Sequence, residues 1–481
     1  MKRHGVTKAT GLIGSLLIFV IGGCLDTSES KGEVIRLGLM APLNAPVPEL
    51  ADASASFERV AQAAVDEINS HGGVDGYELV LIIRGDIFPP SPYITEVIEE
   101  LDNLGVVGAI GPVITPTTEI AWPAAKEHEF PLISPSSTAG SLADVEDGGF
   151  LFRNVTNDRI QGLVMAYSIT DYFDDPSTLQ EVDPLDCVYV LHQDDSYGGD
   201  FAAAFTEVFR AQQHKVFGPI EFGKGSITNP DQDPQPARDL INSVMALDPC
   251  DAGDRDALRN VILISLDDVS NIVRGWDQMQ PKPNIRWFFT DGARTPGFLD
   301  VAPSSVLNMV GTSPTNPILG DAYEELDKAY RDRYNGNIAE LVFSSQVWDG
   351  VFLFAAALTL QFQDTPYSEL GGAGLVQALR DVSTGPGVIL HAGQWRDMLA
   401  AIKSGVPVDF DGASGPNDFD ACGETIGPYE FWQLVEGNDG GVSFSQLEFF
   451  DTRELSRQLA TLMQDTTVKE LQSKCPEALM P

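Results

Sequence analysis

The sequence predicts an α/β protein with two doubly wound parallel sheets. The prediction rests on short, nearly continuous Val/Ile/Leu runs, on acidic or glycine-containing turns directly after them, and on the amphipathic segments that follow. Uninterrupted apolar runs are typical of parallel strands buried on both faces. Strands that alternate with helices imply right-handed βαβ units. The runs are too numerous for one ordinary sheet, which favours two lobes whose carboxyl edges face a ligand cleft.

The first lobe begins with the apolar run Val34–Met40. Apolar residues then recur at helical spacing over Phe57–Ile68, and Gly72-Gly73 ends that predicted helix. The runs Leu79–Ile83 and Val106–Ile110 are the next predicted strands. Because each strand is followed by polar or glycine residues, we expect functional groups at one edge of this sheet.

Three runs of the second lobe each end in an acidic turn. They are Cys187–Leu191 before Gln193-Asp194-Asp195, Val261–Leu266 before Asp267-Asp268, and Trp287–Phe289 before Thr290-Asp291-Gly292. We expect three chain crossings between the lobes, near Phe152–Asn157, Thr312–Pro317 and Gly405–Gly415, and short strands after the last, including Glu430–Val435. The first lobe then comprises 34–154 and 315–405, and the second comprises 155–314 and 406–481.

Composition excludes several classes of function. The 481 residues are 43% hydrophobic, which is ample for a core, and carry a formal net charge of −40. Such an acidic surface repels phosphate backbones, so no nucleic-acid partner is predicted. The chain has no nucleophile elbow, zinc-protease or phosphate-loop motif and no EF-hand spacing. We therefore predict no enzyme, no metal site and no cofactor.

The N-terminus is typical of an export signal. Lys2 and Arg3 precede the apolar run Leu12–Ile21, which is shorter than the roughly 20 residues that span a bilayer. Gly22-Gly23-Cys24 resembles the lipobox of bacterial lipoproteins, in which the Cys becomes the lipid-bearing N-terminus. This predicts a signal peptide over 1–24 and a tether over 25–33. The alternative is a signal peptide with an incidental Cys.

Export bears on the remaining cysteines, because disulfides persist outside the cytosol. Cys187, Cys250, Cys422 and Cys475 form an even set without CxxC spacing. We favour pairing Cys187 with Cys250, since each stands just before a predicted strand. A second disulfide between Cys422 and Cys475 would fasten the C-terminal segment.

Seven ordered blocks over roughly Val34 to Glu436 carry a resemblance to a known family. They are Ile68-Asn69 with Gly72 to Gly76, Ile110-Gly111-Pro112 with Thr115, Pro131 to Thr138, Asp194 to Gly198, Phe289 to Gly292, Trp348-Asp349, and Asp411 to Gly415 with Phe419-Asp420. In these blocks the chain resembles the leucine/isoleucine/valine-binding proteins. These are type I periplasmic binding proteins that serve branched-chain amino acid ABC transporters. The resemblance implies two lobes, a hinge of three crossings and a ligand site of strand-end loops.

The resemblance assigns the ligand's carboxylate to the first lobe. Thr115 is expected to contact it, and Ser136, Ser137 and Thr138 are expected to add backbone and hydroxyl contacts. Thr115 precedes Pro116, which indicates an N-cap followed by a proline at the first helical position. A helix start offers free N–H groups and a positive dipole end to an anion. The alternatives are a Thr115 that only caps its helix and a solvated hydroxyl turn.

The second lobe is expected to hold the ammonium group. Asp291 matches the acidic residue that pairs with it, although the family usually carries Glu there, and Tyr197 matches an aromatic residue that covers the ligand. A buried ammonium needs such a partner. The alternatives are an Asp291–Arg294 ion pair and ordinary packing of Tyr197. The side-chain pocket is expected from two stretches that match more loosely, Ser265–Asp268 and Gln346–Trp348, with Asp267 and Trp348 as candidates.

The predicted function is capture of a branched-chain amino acid or a related small ligand by lobe closure, driven by contacts that both lobes make to the ligand. The expected partners are that ligand, an ABC permease and a membrane reached through lipid on Cys24. The expected location is the periplasmic face of a bacterial cell envelope, with Leu25 slightly favouring the outer membrane. One alternative is a ligand-free interaction lipoprotein resembling activators of cell-wall synthases. The other is an enzyme with dispersed catalytic residues.

Overall fold

The computed structural model describes residues 34–451, apart from 46–47, 86, 175–184, 186, 251–257, 316–319 and 439. The predicted signal peptide, the tether, Cys24 and Cys475 lie outside the described residues. Within the described ranges, no helix combines the length and the apolar character needed to cross a membrane.

Five parallel strands form the first sheet, in the order β2-β1-β3-β4-β5. Its elements are β1 (Val34–Met40), α1 (Pro48–Ser70), β2 (Glu78–Arg84), α2 (Tyr93–Asn103), β3 (Val106–Ile110), α3 (Thr115–Glu127), β4 (Leu132–Ser134) and β5 (Leu151–Arg153). Helices cover both faces of this sheet. The adjacent β3 residues Ala109 and Ile110 point to opposite faces: Ile110 packs in the core cluster that includes α1, and Ala109 packs in the cluster that includes α2 and α3. This sheet and its helices are the first lobe.

The second sheet has the order β15-β14-β10-β9-β8-β6-β7. Its first elements are α4 (Asp158–Asp174), β6 (Cys187–Gln193), α5 (Ser196–Ala211), β7 (Lys215–Phe222), α6 (Gln235–Met245), β8 (Arg259–Ile264), α7 (Val269–Asp277), β9 (Ile285–Phe289), α8 (Pro296–Val301) and β10 (Val310–Pro314). Along β6, Val188 and Val190 face the core with α4 and α5, whereas Tyr189 and Leu191 face the core with α6 and α7. This two-sided burial explains the continuous apolar runs of the sequence.

The chain then returns to the first lobe before it completes the second. The returning elements are α9 (Asp321–Tyr334), α10 (Ser344–Gln361), α11 (Gly372–Ser383), β11 (Val388–Leu390), α12 (Trp395–Lys403), β12 (Val408–Gly412) and β13 (Gly415–Pro416), and the last strands are β14 (Tyr429–Glu436) and β15 (Val442–Phe450). Strands β14 and β15 extend the second sheet antiparallel to β10 and to each other. A hairpin needs only a short turn, so this edge departs from the parallel pattern.

The structure moves one predicted boundary between the lobes. We expected the third crossing near Gly405–Gly415, but Val408, Phe410 and Phe419 pack in the core of the first lobe. The cause is that β12 pairs in parallel with β11. Tyr429 is the next strand residue and packs in the core of the second lobe. We therefore place the third crossing between Phe419 and Tyr429, and the lobe limits stay a proposal with this amendment.

The predicted disulfide between Cys187 and Cys250 is confirmed, with the two Cα atoms 6.0 Å apart. It ties the start of β6 to the segment that follows α6. The pairing of Cys422 with Cys475 stays a prediction, because Cys475 lies outside the described residues.

Candidate functional site

A cavity of about 670 Å³, its mouth included, lies between the carboxyl ends of the strands of the two large sheets. The lining residues of the first lobe are Leu50, Ala53, Phe57, Val113, Ile114, Thr115, Pro116, Ser136, Thr138, Val342 and Phe343. Those of the second lobe are Gln193, Asp195, Tyr197, Lys224, Leu266, Asp291, Gly292 and Thr295. Five of the eight predicted ligand residues, Thr115, Ser136, Thr138, Tyr197 and Asp291, therefore lie at one cavity.

Helix α3 begins at Thr115, one residue earlier than the sequence predicted. The N-cap is Ile114, whose extended backbone precedes the helix, so Thr115 is the first helical residue and Pro116 the second. The predicted capping role of Thr115 is thus wrong, because its own backbone is already helical. Its hydroxyl instead accepts a hydrogen bond from the Ala139 N–H at 3.3 Å. Pro116 carries no N–H, and the Thr117 and Thr118 N–H groups donate to the Ile114 carbonyl at 3.1 and 3.0 Å, so the helix start offers the cavity the Thr115 N–H.

The three adjacent hydroxyl residues after β4 face different ways. Ser136 and Thr138 line the cavity. Ser137 does not, because its hydroxyl lies 2.7 Å from the Thr118 hydroxyl and the residue is fully buried. Arg153 supports the loop from behind by donating to the Ser137 carbonyl at 2.9 Å and the Ala139 carbonyl at 2.7 Å. This loop therefore brings two hydroxyl residues to the cavity, not three, and the Ser136 hydroxyl donates to the Val113 carbonyl at 2.7 Å.

Asp291 follows β9 directly, and its carboxylate is held by two donors. Oδ1 accepts hydrogen bonds from the Tyr197 hydroxyl and from Gln161 Nε2, each at 3.0 Å. Burial raises the pKa of Asp291 to about 6, although these two hydrogen bonds oppose the shift. The alternative ion pair with Arg294 is not formed, because Arg294 Nε donates to Glu430 Oε1 at 2.8 Å.

Tyr197 lies in the first turn of α5, behind the acidic turn that ends β6. The N-cap of α5 is Asp195, whose carboxylate accepts from the Gly198 N–H at 3.0 Å. The Tyr197 ring belongs to the core cluster of the second lobe, and its hydroxyl lies 2.8 Å from the Thr290 hydroxyl. Burial raises the pKa of Tyr197 well above its usual range, with the Asp291 charge adding to it. Tyr197 therefore acts as a hydrogen-bond donor at the cavity wall.

Lys224 lines the cavity, and sequence reasoning missed it. Its ammonium lies 3.0 Å from Asp195 Oδ2 and 3.4 Å from Asp267 Oδ2. Burial lowers the pKa of Lys224, but the two carboxylates outweigh burial and the net shift is upward. Asp267 thus lies beside the cavity as a partner of Lys224 and does not line it. The only sequence signal for Lys224 was its place just after a strand of the second sheet.

Trp348 lies in the core, away from the cavity. Helix α10 is buried on nearly all sides, and the Trp348 ring packs against Phe352 with ring centres 5.1 Å apart. Its neighbour Asp349 accepts from the Ala413 N–H at 2.8 Å and the Ser414 N–H at 2.7 Å. A Cβ atom on Gly412 would lie 2.2 Å from Asp349 Oδ2. The Trp348-Asp349 and Asp411 to Gly415 blocks therefore contact each other, and this contact is structural and lies away from the cavity.

Part of the cavity wall is apolar, and of its residues only Leu266 falls in a stretch, Ser265–Asp268, that the sequence analysis expected at the side-chain pocket. Leu50 and Phe57 of α1, Leu266 and Phe343 contribute to it. Phe343 has a left-handed backbone with φ of 65°, which is strained for a residue with a side chain. The cavity thus combines a helix start, two hydroxyl residues, a buried carboxylate and an apolar wall, an arrangement that could bind both ends of a zwitterion and an apolar side chain.

Comparisons with known proteins match this architecture. Residues 34–244 match the model of a family described as periplasmic binding protein. A chemotactic signal transduction system substrate-binding protein, BasB of Halobacterium salinarum, is 23% identical over 426 residues, covering 86% of this chain and 90% of that protein. A leucine-, isoleucine-, valine-, threonine- and alanine-binding protein of Pseudomonas aeruginosa is 27% identical over 172 residues, 35% of this chain. That match spans only 42% of the Pseudomonas protein.

Two solved structures share the fold. LivJ of Streptococcus pneumoniae, a branched-chain amino acid transporter substrate-binding protein in complex with isoleucine, has a TM-score of 0.62 at 19% identity, covering 86% of this chain and 99% of that chain. A solute-binding protein of R. palustris in complex with 4-hydroxybenzoate has a TM-score of 0.64 at 14% identity, covering 88% and 98%. The fold is therefore that of the two-lobed type I periplasmic binding proteins.

Proposed function

We propose, on the premise that this chain belongs to the periplasmic binding protein family, that it is a solute-binding protein that captures an amino acid with an apolar side chain in the cavity between its lobes. The observation that carries the proposal is that one cavity is lined by groups suited to an anion on one lobe and by a group suited to a cation on the other. The start of α3 with Ser136 and Thr138 suits a carboxylate, and Asp291 suits an ammonium group. The apolar wall suits an aliphatic side chain.

The mechanism requires no bond to be made or broken. A zwitterion that contacts Thr115 of one lobe and Asp291 of the other favours the closed arrangement, because only that arrangement supplies both contacts. A membrane partner that recognises the closed lobes then detects the bound solute. The relatives suggest two such partners. One is an ABC transporter, by analogy with the R. palustris solute-binding protein, and the other is a chemotactic signal transduction system, by analogy with BasB.

We further propose that the protein works outside the cytoplasm, held to a membrane by lipid on Cys24. The N-terminal sequence and the Cys187–Cys250 disulfide support this location. Labelling with a radioactive fatty acid tests the anchor. Label on the wild-type chain that is lost in Cys24→Ala is expected, and an unlabelled wild-type chain contradicts the anchor.

Isothermal titration of the purified protein with the twenty common amino acids tests the ligand class. Branched-chain amino acids are expected to bind, and Asp291→Asn is expected to weaken them roughly 10- to 100-fold, the value of a charge-assisted hydrogen bond. The matched control is Asp349→Asn, since Asp349 is also buried and burial likewise raises its pKa to about 6, but Asp349 does not line the cavity. Binding that survives Asp291→Asn unchanged, or an absence of binding, contradicts the proposal.

A further inference from the structure

A second carboxyl group lies buried behind the cavity wall, on the residue that starts α4. Asp158 is 0% exposed, and its backbone N–H donates to the Thr138 carbonyl at 2.8 Å. Neither of its carboxylate oxygens has a hydrogen bond of regular geometry. The Thr138 side chain is the one group near enough to favour the anion by hydrogen bonding. Such an unsatisfied buried carboxylate is costly, so its position calls for a physical reason.

Asp158 faces the same polar region as Asp291. Gln161 lies one turn further along α4 and donates to Asp291 Oδ1, so α4 carries both groups into one place. Burial raises the pKa of both carboxyl groups, and for Asp158 the Asp291 charge is the next cause. Two buried carboxylates that repel each other retain a proton between them in the absence of a cation.

The other charged groups around Asp158 do not neutralise it. The Arg153 charge favours the anionic form of Asp158, but Arg153 is engaged by both carboxylate oxygens of Glu424 and by two backbone carbonyls. Asp200 adds a further negative charge. Tyr197 and Tyr429 face the pair as neutral phenols, because burial raises the pKa of each well above its usual range. A positive charge must therefore come from the ligand.

We propose that Asp158 acts through Asp291 as a positioning residue that makes the cavity select ligands with a full positive charge. With the cavity empty, the two carboxyl groups carry one negative charge and one proton. When the ammonium of an amino acid settles against Asp291, the second carboxyl ionises and its proton passes to the solvent. A carboxylic acid without an amine brings no charge to compensate the pair and binds weakly. This inference rests on the proposed function and deepens it, since it names the ligand class as protonated amino acids.

Titration calorimetry at pH 7 in two buffers that differ in ionisation enthalpy counts the protons released. We expect wild-type protein to release roughly half a proton or more per isoleucine bound. Asp158→Asn should release none and should bind isoleucine about tenfold more weakly. It should also narrow the preference for isoleucine over 4-hydroxybenzoate by about tenfold, because the second carboxylate that would ionise beside the ammonium is gone, while the charge that faces the anionic ligand is unchanged. Asp349→Asn is the matched control and should release as many protons as the wild type.

The wild-type measurement alone decides the matter if Asp158→Asn fails to fold. Isoleucine binding without proton release overturns this inference and leaves the proposed function standing, and so does an equal release from a folded Asp158→Asn. If no amino acid binds to the wild type, both proposals fall. A merely structural role for Asp158 would lower stability without changing the proton count.

Discussion

The hydroxyl of Tyr197 donates to Asp291 Oδ1 across 3.0 Å, and the Thr290 hydroxyl lies 2.8 Å behind it. The three side chains form a hydrogen-bonded row along the cavity wall. Thr290 orients the phenol, and the phenol stabilises the anionic form of Asp291, which burial disfavours. The row keeps a carboxylate available for a cation in a site that would otherwise neutralise it.

Tyr197→Phe removes the donor and leaves the ring. We expect the pKa of Asp291 to rise further and the affinity for isoleucine at pH 7 to fall roughly 10- to 100-fold. Titration calorimetry measures the change. The matched control is Tyr189→Phe, because that hydroxyl donates to the Asp248 carbonyl at 2.7 Å and its ring is buried away from the cavity. An unchanged affinity in Tyr197→Phe would contradict this role.

Two neighbouring glycines at the start of α5 should respond oppositely to alanine. A Cβ atom on Gly198 would lie 2.2 Å from the Gln193 carbonyl oxygen, whereas Gly199 has no atom within 4 Å of such a Cβ. We expect Gly198→Ala to lower the free energy of unfolding by about 1–3 kcal/mol through overpacking. Gly199→Ala should raise it by up to about 1 kcal/mol, since alanine favours a helix. Urea denaturation compares them, and equal effects would be inconsistent with the backbone geometry at Gly198.

The buried Arg153–Glu424 ion pair joins the loop of Ser137 to the third crossing. Arg153 Nε donates to Glu424 Oε1 at 2.6 Å. Arg153→Met leaves Glu424 buried without its cation, so we expect a loss of about 3–5 kcal/mol in the free energy of unfolding. Arg153→Met with Glu424→Gln should recover much of this loss, because the unpaired charge is removed. Urea denaturation of the single and double variants tests the pairing, which strictly additive losses would refute.

Stability without ligand should fall as pH rises from about 4 to about 6. Burial raises the pKa of Asp268, Asp291 and Asp349 to about 6 each. Between its unfolded and folded pKa values, each carboxyl binds more protons in the folded state, so raising the pH favours unfolding by up to about 1.4 kcal/mol per pH unit for each group. Below pH 4 this contribution is fully present. Thermal unfolding at pH 4.5 and 6.5 measures the slope, and Asp291→Asn should reduce it. An identical slope in that variant would disprove the contribution of Asp291.

The Cys187–Cys250 disulfide should stabilise the second lobe without affecting the cavity. It closes a sequence separation of 63 residues. Loop-closure entropy then corresponds to about 4 kcal/mol, which Cys187→Ala with Cys250→Ala should lose. Neither residue lines the cavity, so isoleucine affinity at 15 °C should stay within about twofold. Urea denaturation and calorimetry provide the two readouts, and a large affinity loss in the folded variant would show that the disulfide also shapes the cavity.

The sequence by itself determined the α/β class and most strand positions, because strands buried on both faces leave continuous apolar runs. It favoured the Cys187–Cys250 pairing, which the structure confirms. The sequence and the resemblance together predicted Thr115, Tyr197 and Asp291 as ligand residues, and all three line one cavity. The prediction was possible because the carboxyl ends of parallel strands share an edge of the sheet. Only the tertiary structure decided which side chains face the cavity and which distant residues they contact.

The Ser137 hydroxyl points to Thr118, whereas Ser136 and Thr138 line the cavity. The sequence does not distinguish them, because the direction of each side chain depends on the conformation of the loop. Helix α10 is buried on nearly all sides, which places Trp348 in the core and away from the cavity. Lys224 interacts with Asp267, and the charge of Asp291 acts on Asp158, although the members of each pair are far apart in the chain. Such long-range pairings depend on how strands are ordered and helices packed, which local patterns of residues do not encode.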